Sequence, residues 1–273
     1  MRIAFVGQLH YFDCCIPSGA TKFNYSWGED YSHILKCKDD FDVWFFIRGE
    51  YAPTILLDQL SGKKVWISTE PIEREDVING LKEGMTKHFD KCFHYDKTHL
   101  PELRKQGINF DGVFQLPVNL DVYKFVNEPI KYDVCFVGRS TQHREDIMGL
   151  LKHTHKFLHV AHGLNEEDYV KTVRQAKINL NLHVDTYPQL QHRMQNLMAC
   201  GCFVMSEYLS HDDDLKAFKH YVPLLPGREG YNSVLDWLGR DEERLKIRSQ
   251  ATAYVRKNFD ANKCWNDLLK DVV

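Results

Sequence analysis

Arg193 and Asn196 stand where a chain of this pattern could do chemistry on a phosphate and a hydroxyl. They belong to the stretch 177–207, KINLNLHVDTYPQLQHRMQNLMACGCFVMSE. Apolar Leu190, Met194, Leu197 and Met198 recur there at helical spacing and Gly201 follows as a stop, so His192 and Arg193 fall in a first turn. Free backbone N–H groups and the positive end of the helix dipole make such a turn a seat for phosphate. An arginine in that turn can hold a diphosphate through two parallel hydrogen bonds, and Asn196, one turn further on, can reach a sugar or ribose hydroxyl. The alternative is a solvated arginine on an ordinary helix.

The elements that must position these residues are a strand, a helix and a strand. Residues 177–182 alternate and then run apolar, the turn through Tyr187 and Pro188 ends them, and 202–205 resumes as a buried strand. The expected connection is a right-handed crossover in a parallel sheet. Further strands are predicted at 3–6, 43–47, 65–68, 92–95 and 113–116, then at 133–137, 157–161, 178–182 and 221–225. Helical patterns fall at 143–152, 166–176, 189–200, 231–239 and 241–258. Such β/α alternation argues for mostly parallel, doubly wound sheets. The Asn-, Pro- and charge-rich segment VNLDVYKFVNEPIKY suggests a boundary near 128, giving domains 1–128 and 129–273.

The run RMQNLMACGCFVMSE resembles the donor-site helix of glycosyltransferases with the GT-B fold, in which Arg, two residues and Glu precede Ala-Cys-Gly or Ala-Gly-Gly and an apolar strand. The match is close to the CgeB-like spore-maturation group and its group 1 relatives. CFHYDKTHLPELRKQGINFDGVFQLPVNLDVYKF resembles the end of a GT-B first domain and KYDVCFVGRSTQHRE the opening of the second, whereas the first ninety residues match only in being β/α. The resemblance implies an α/β fold of two Rossmann-like domains facing across a cleft, with a last helix, 260–273, packing back on the first. It also implies transfer of a sugar from a nucleotide-diphosphate donor to an acceptor hydroxyl, without a metal or other cofactor. Asn196 departs from the pattern by replacing the family's Glu with a neutral acceptor. That leaves two rivals, a non-catalytic sugar-nucleotide binder and a GT-B epimerase.

Ligands of open α/β sheets bind beyond the carboxyl ends of the strands. In the second domain these ends offer Gly138, Arg139, Ser140 and Arg144, then His162 and Gly163, then His183 and Asp185. Arg139, Arg144 and Arg193 together could neutralise a diphosphate leaving group. Arg144 could equally pair with Glu145 and Asp146 on a solvated face, and His183 could be a core histidine. In the first domain the loop GQLHYFDCCIPSGA follows the first strand, where Gly7 and Gly19 permit close backbone approach. His10 and Asp13 are candidate bases for an acceptor hydroxyl, and Glu70, ending STEP, is the rival carboxylate. Each also suits a loop without chemistry. Asp212, Asp213 and Asp214 resemble a metal motif but fit an apparent helix start better. Cys200-Gly201-Cys202 lacks a redox spacing.

Composition bounds the rest. With 273 residues and 43% hydrophobic content the chain can bury two cores, and a net charge of -3 gives no global pull toward nucleic acid or an anionic membrane. The apolar start of MRIAFVGQLHYF is too short for a signal sequence, and no run approaches membrane-spanning length. Eight scattered cysteines suit free thiols in a reducing, cytoplasmic compartment. The acceptor stays open among a glycan precursor, a protein, a small molecule and a phage-type modified DNA base.

Overall fold

A computed structural model of the 273-residue chain describes residues 1–272 except 27, 74, 83–84, 185, 188–189 and 211–213. The chain divides into two compact units, Met1–Leu116 with Ala261–Val273, and Pro117–Asp260.

The first unit runs β1 (Ile3–Gly7), β2 (Thr21–Asn24), α1 (Ser32–Leu35), β3 (Val43–Ile47), α2 (Thr54–Gln59), β4 (Lys63–Ser68), α3 (Glu75–Lys82), β5 (Lys91–His94), α4 (Leu100–Lys105) and β6 (Gly112–Val113). Its six strands are parallel in the order β2-β1-β3-β4-β5-β6. The central strand β3, VWFFI, is buried along its whole length, as a strand covered on both faces must be. One face packs Trp44, Phe46 and Trp66 against Leu56, Leu57 and Leu103. The other face packs Phe5, Phe45 and Ile67 against Trp265, Leu268 and Val272. The Trp265 indole donates to the Cys15 carbonyl at 2.8 Å and meets Phe5 edge-on, so the final helix belongs to this core. β2 carries no predicted strand because its side chains are mostly exposed, leaving no alternation to read.

The second unit runs β7 (Tyr132–Val137), α5 (Gln142–Thr154), β8 (Phe157–Val160), α6 (Glu166–Arg174), β9 (Ala176–Asn181), α7 (His192–Ala199), β10 (Val204–Ser206), β11 (Val222–Pro223), α8 (Gly227–Leu238) and α9 (Asp241–Asn258). The last helix, α10 (Ala261–Val272), returns to the first unit. The second sheet is also parallel, ordered β11-β10-β9-β7-β8.

The units part at Leu116/Pro117, twelve residues before the expected boundary at 128. The segment after Pro117 reads as a linker because it is polar, yet its backbone is tied to the second unit. Val118 N–H donates to the Phe259 carbonyl at 2.7 Å, and the N–H groups of Lys131 and Tyr132 donate to the Gln175 carbonyl. Phe125 of this segment lies under Gly201, where an added Cβ would stand 2.3 Å from its ring. Gly201 therefore ends α7, with φ at +74°, and leaves room for that ring. Among the described residues no helix is long and apolar enough to cross a membrane.

Candidate functional site

In the second sheet β7 and β9 are neighbours although β8 separates them in sequence, so the chain leaves β7 on one side and returns on the other. A break of this kind opens a crevice beyond the strands' carboxyl ends. The loop after β7, beginning at Gly138, and the loop after β9, beginning at Leu182, border it, and the first turns of α5 and α7 bring in Arg144 and Arg193.

Both guanidinium groups lie over the ring of Phe136, each 5.2 Å from its centroid, and both donate to the Leu182 carbonyl. Their remaining donors differ. Arg144, 1% exposed, also bonds the His183 carbonyl through Nε at 2.8 Å and the Arg139 carbonyl through Nη1 at 2.8 Å. It fastens the two loops to each other. Neither sequence reading of Arg144 included these main-chain bonds, which tie a buried guanidinium to three carbonyls.

Arg193 makes one protein hydrogen bond among the described residues, to Leu182 at 3.1 Å, and no carboxylate pairs with it. Burial pulls its pKa down, opposed by the nearby Tyr169 phenol. A cation so placed is short of solvation and gains from any anion that reaches it. A Cβ on Gly138 would sit 3.2 Å from Arg193 Nη2, so glycine there leaves the guanidinium room. One turn along α7 the Asn196 Oδ1 is buried without a hydrogen-bond partner, an acceptor prepared for an N–H or O–H group. His192 adds no charge to the turn. Its Nε2 lies 2.8 Å from the Pro117 carbonyl, and burial lowers its pKa to about 4 despite that bond, so the ring is neutral at pH 7 and donates.

The other expected residues of this unit spread out. Arg139 and Ser140 are exposed, with Ser140 Oγ donating to Glu145 Oε1 at the start of α5. His162 and Gly163 follow β8, which is the sheet edge, and both are exposed away from the β7/β9 break. His183 is 2% exposed and its backbone N–H donates to Glu207 Oε2 at 2.6 Å. Asp185, Asp212 and Asp213 lie outside the described residues. Among the described residues no three His, Cys, Asp or Glu side chains group as a metal site.

Glu207 and Phe136 are the residues that sequence reasoning missed. Glu207 follows β10 directly and its Oε1 is 2.6 Å from His143 Nε2 on α5. The strand-end rule that singled out the first three loops applies equally to the fourth, and VMSE displayed it. Phe136 sat inside an apolar strand and could not be told from core.

The first sheet repeats the break, between β1 and β3. Gly7 is required there because a Cβ would meet the Ile47 carbonyl at 2.4 Å. Beside it a cavity of about 30 Å3, room for a water molecule, is lined by Gln8, Tyr25, Arg48 and Tyr51. Arg48 holds a left-handed conformation, φ 60° and ψ 48°, uncommon for a residue other than glycine. Its Nε is 3.6 Å from Glu70 and 3.7 Å from Glu50, and its Nη1 donates to Gln8 Oε1 at 3.2 Å. Burial raises the Glu50 pKa to about 7, against the pull of Arg48. Of the proposed bases, Glu70 reaches this cluster, His10 is exposed on a short turn, and Asp13 is paired with Lys22 at 3.0 Å.

The sequence model of a family described as glycosyl transferase-like matches residues 133–270, just over half of the chain. No curated protein matches significantly in sequence. Solved structures match over nearly the full length. Anabaena HepE in complex with UDP-glucose is 9% identical, covers 99% of each chain and has a TM-score of 0.73. An alpha-glucosyltransferase in complex with UDP and a 13-mer DNA containing a HMU base is 12% identical, covering 100% of this chain and 99% of its own at a TM-score of 0.71. A glycosyltransferase from Rickettsia africae is 11% identical, covering 100% and 98%, at 0.69. The likeness is one of fold, the GT-B fold that RMQNLMACGCFVMSE led us to expect.

Proposed function

This chain belongs to the glycosyl transferase-like family, and from that premise we propose that it transfers a sugar from a nucleotide-diphosphate donor held by the second unit. The observation that carries the proposal is Arg193, a partly buried cation at the β7/β9 break with one hydrogen bond among the described residues. The diphosphate lies against Arg193 and the first N–H groups of α7, and Asn196 Oδ1 accepts from a ribose or sugar hydroxyl. As the glycosidic bond breaks, charge grows on the diphosphate, and a fixed guanidinium stabilises it without reorganising, the task a metal performs elsewhere. Arg144 acts by positioning, holding the loops that shape the crevice.

The nucleotide is a uridine diphosphate by analogy with HepE and the alpha-glucosyltransferase, which bind it. The acceptor is a hydroxyl, and Glu70 is the acceptor-side carboxylate because it reaches the Arg48 cluster beside the β1/β3 break, whereas Asp13 pairs with Lys22. All eight cysteines are unbridged, which supports a reducing, cytoplasmic setting.

Thermal midpoints measured with UDP, UDP-glucose, ADP and GDP test the donor reading. A nucleotide at a hundred times its dissociation constant adds about 2.7 kcal/mol of stability. One of the four is expected to stabilise the wild type and to lose that effect in Arg193→Ala. No shift with any nucleotide, or an equal shift in Arg193→Ala, would refute it.

A further inference from the structure

A third of the large apolar side chains left in solvent are gathered in one place. Of twelve such residues among those described, four, Phe125, Val126, Ile130 and Leu245, are 40–53% exposed and line one groove of the second unit. Its volume is about 340 Å3, within the usual range for small-molecule sites. The floor is the turn at 200–202 that closes α7, and the walls are the segment 125–130, the α6/β9 junction and α9. These are the amino ends of β9 and β10, whereas Arg193 stands beyond the carboxyl end of β9. The groove is therefore separate from the proposed donor site.

Its charges are unbalanced. Asp241 is paired with Arg244, and Lys177 with Asp133 at 2.9 Å. Arg174 and Arg248 have no carboxylate partner among the described residues. Arg174 donates through Nη2 to the Lys124 carbonyl, and its buried Nε has no hydrogen-bond partner. Arg248 lies 5.1 Å from the centre of the Phe125 ring, which aligns a guanidinium with an apolar wall. Against these two cations stands one lining carboxylate without an ion-pair partner among the described residues, Glu128.

We propose that this groove is a second ligand site, taking an amphiphile with a phosphate, sulfonate or carboxylate head and an apolar body. The head meets Arg174 and Arg248, and the body lies on Phe125, Ile130 and Leu245. A bare phosphate lacks the body and an alcohol lacks the charge, so both halves are needed. The site does not depend on what occupies the donor crevice.

The test is titration of the full chain with anilinonaphthalene sulfonate, followed by fluorescence. Octyl phosphate is expected to displace the probe, while inorganic phosphate, octanol and UDP at the same concentration leave it bound. Leu245→Glu and Arg248→Glu, each checked for an unchanged circular dichroism spectrum, should each weaken probe binding at least about tenfold. Sedimentation with phosphatidylglycerol vesicles then separates two sources of the same chemistry: co-sedimentation lost in Arg248→Glu identifies a bilayer lipid, and its absence identifies a soluble amphiphile. Displacement by UDP would put the probe in the nucleotide site and overturn the proposal, as would displacement by phosphate alone or equal binding in both variants.

Discussion

Counted from its own first strand, each sheet reads second, first, third, fourth, fifth, and each breaks its order between first and third strands. Beyond that break the first unit holds one strained arginine, Arg48, between Glu50 and Glu70. The second stacks Arg144 and Arg193 on a single ring and, among the described residues, gives Arg193 no carboxylate partner. The strand-end carboxylate Glu207 is taken by His143 and the His183 N–H. One topology thus carries two electrostatic characters, a neutralised cluster suited to hydroxyls and an open cation suited to phosphate. The strand order says where a ligand can sit, and the side chains say which ligand.

The comparison can be broken at three points. Arg144→Ala strips the carbonyls of Arg139, Leu182 and His183 of a shared charged donor, which is expected to cost about 4 kcal/mol. Arg193→Ala, which abandons one such bond, should stay within about 1 kcal/mol of wild type. Denaturant melts of the two variants decide the matter, and similar losses would erase the distinction between a positioning and a binding arginine.

The first unit should show itself in pH. With a folded pKa of about 7, above the ordinary carboxyl value of 4.5, Glu50 keeps more protons in the folded than in the unfolded chain across that window. Its contribution is whole below 4.5 and is lost as pH rises through 7, amounting to about 3 kcal/mol. Thermal midpoints at pH 5 and pH 8 are expected to fall further apart in wild type than in Glu50→Gln. An unchanged slope in the variant would mean that Glu50 is ionised throughout.

The smallest effect is Asn196→Ala. Removing one hydroxyl contact should weaken nucleotide binding by about 1.4 kcal/mol, or tenfold, with little change in stability because Oδ1 has no partner to lose. Calorimetric titration of the nucleotide measures it, and full affinity in the variant would remove Asn196 from the donor site.

Much of this was legible in one dimension. The pattern 241–258 matches α9 end to end, because acidic residues open it and apolar ones recur at helical spacing. The run 43–47 matches β3, an uninterrupted apolar segment that only a strand buried on both faces could use. Arg193 and Asn196 were legible too, since a helix start has the same orphan N–H groups wherever it occurs. His162 and Gly163 follow the edge strand and not the break, for a reason that recurs. A strand-end loop is visible in sequence, but whether its strand borders the break or the edge depends on pairing order.

The sequence by itself determined the β/α alternation, the helix that presents Arg193 and Asn196, and the family to which these belong, because periodicity and capping act over a few residues. Only the tertiary structure decided that Arg144 would be spent on three main-chain carbonyls while Arg193 stayed open, that Glu50 would be pressed into a buried pair with Arg48, and that the segment after Pro117 would join the second unit. Each depends on groups brought together from distant parts of the chain, and burial sets both the cost of a charge and the partner it must find.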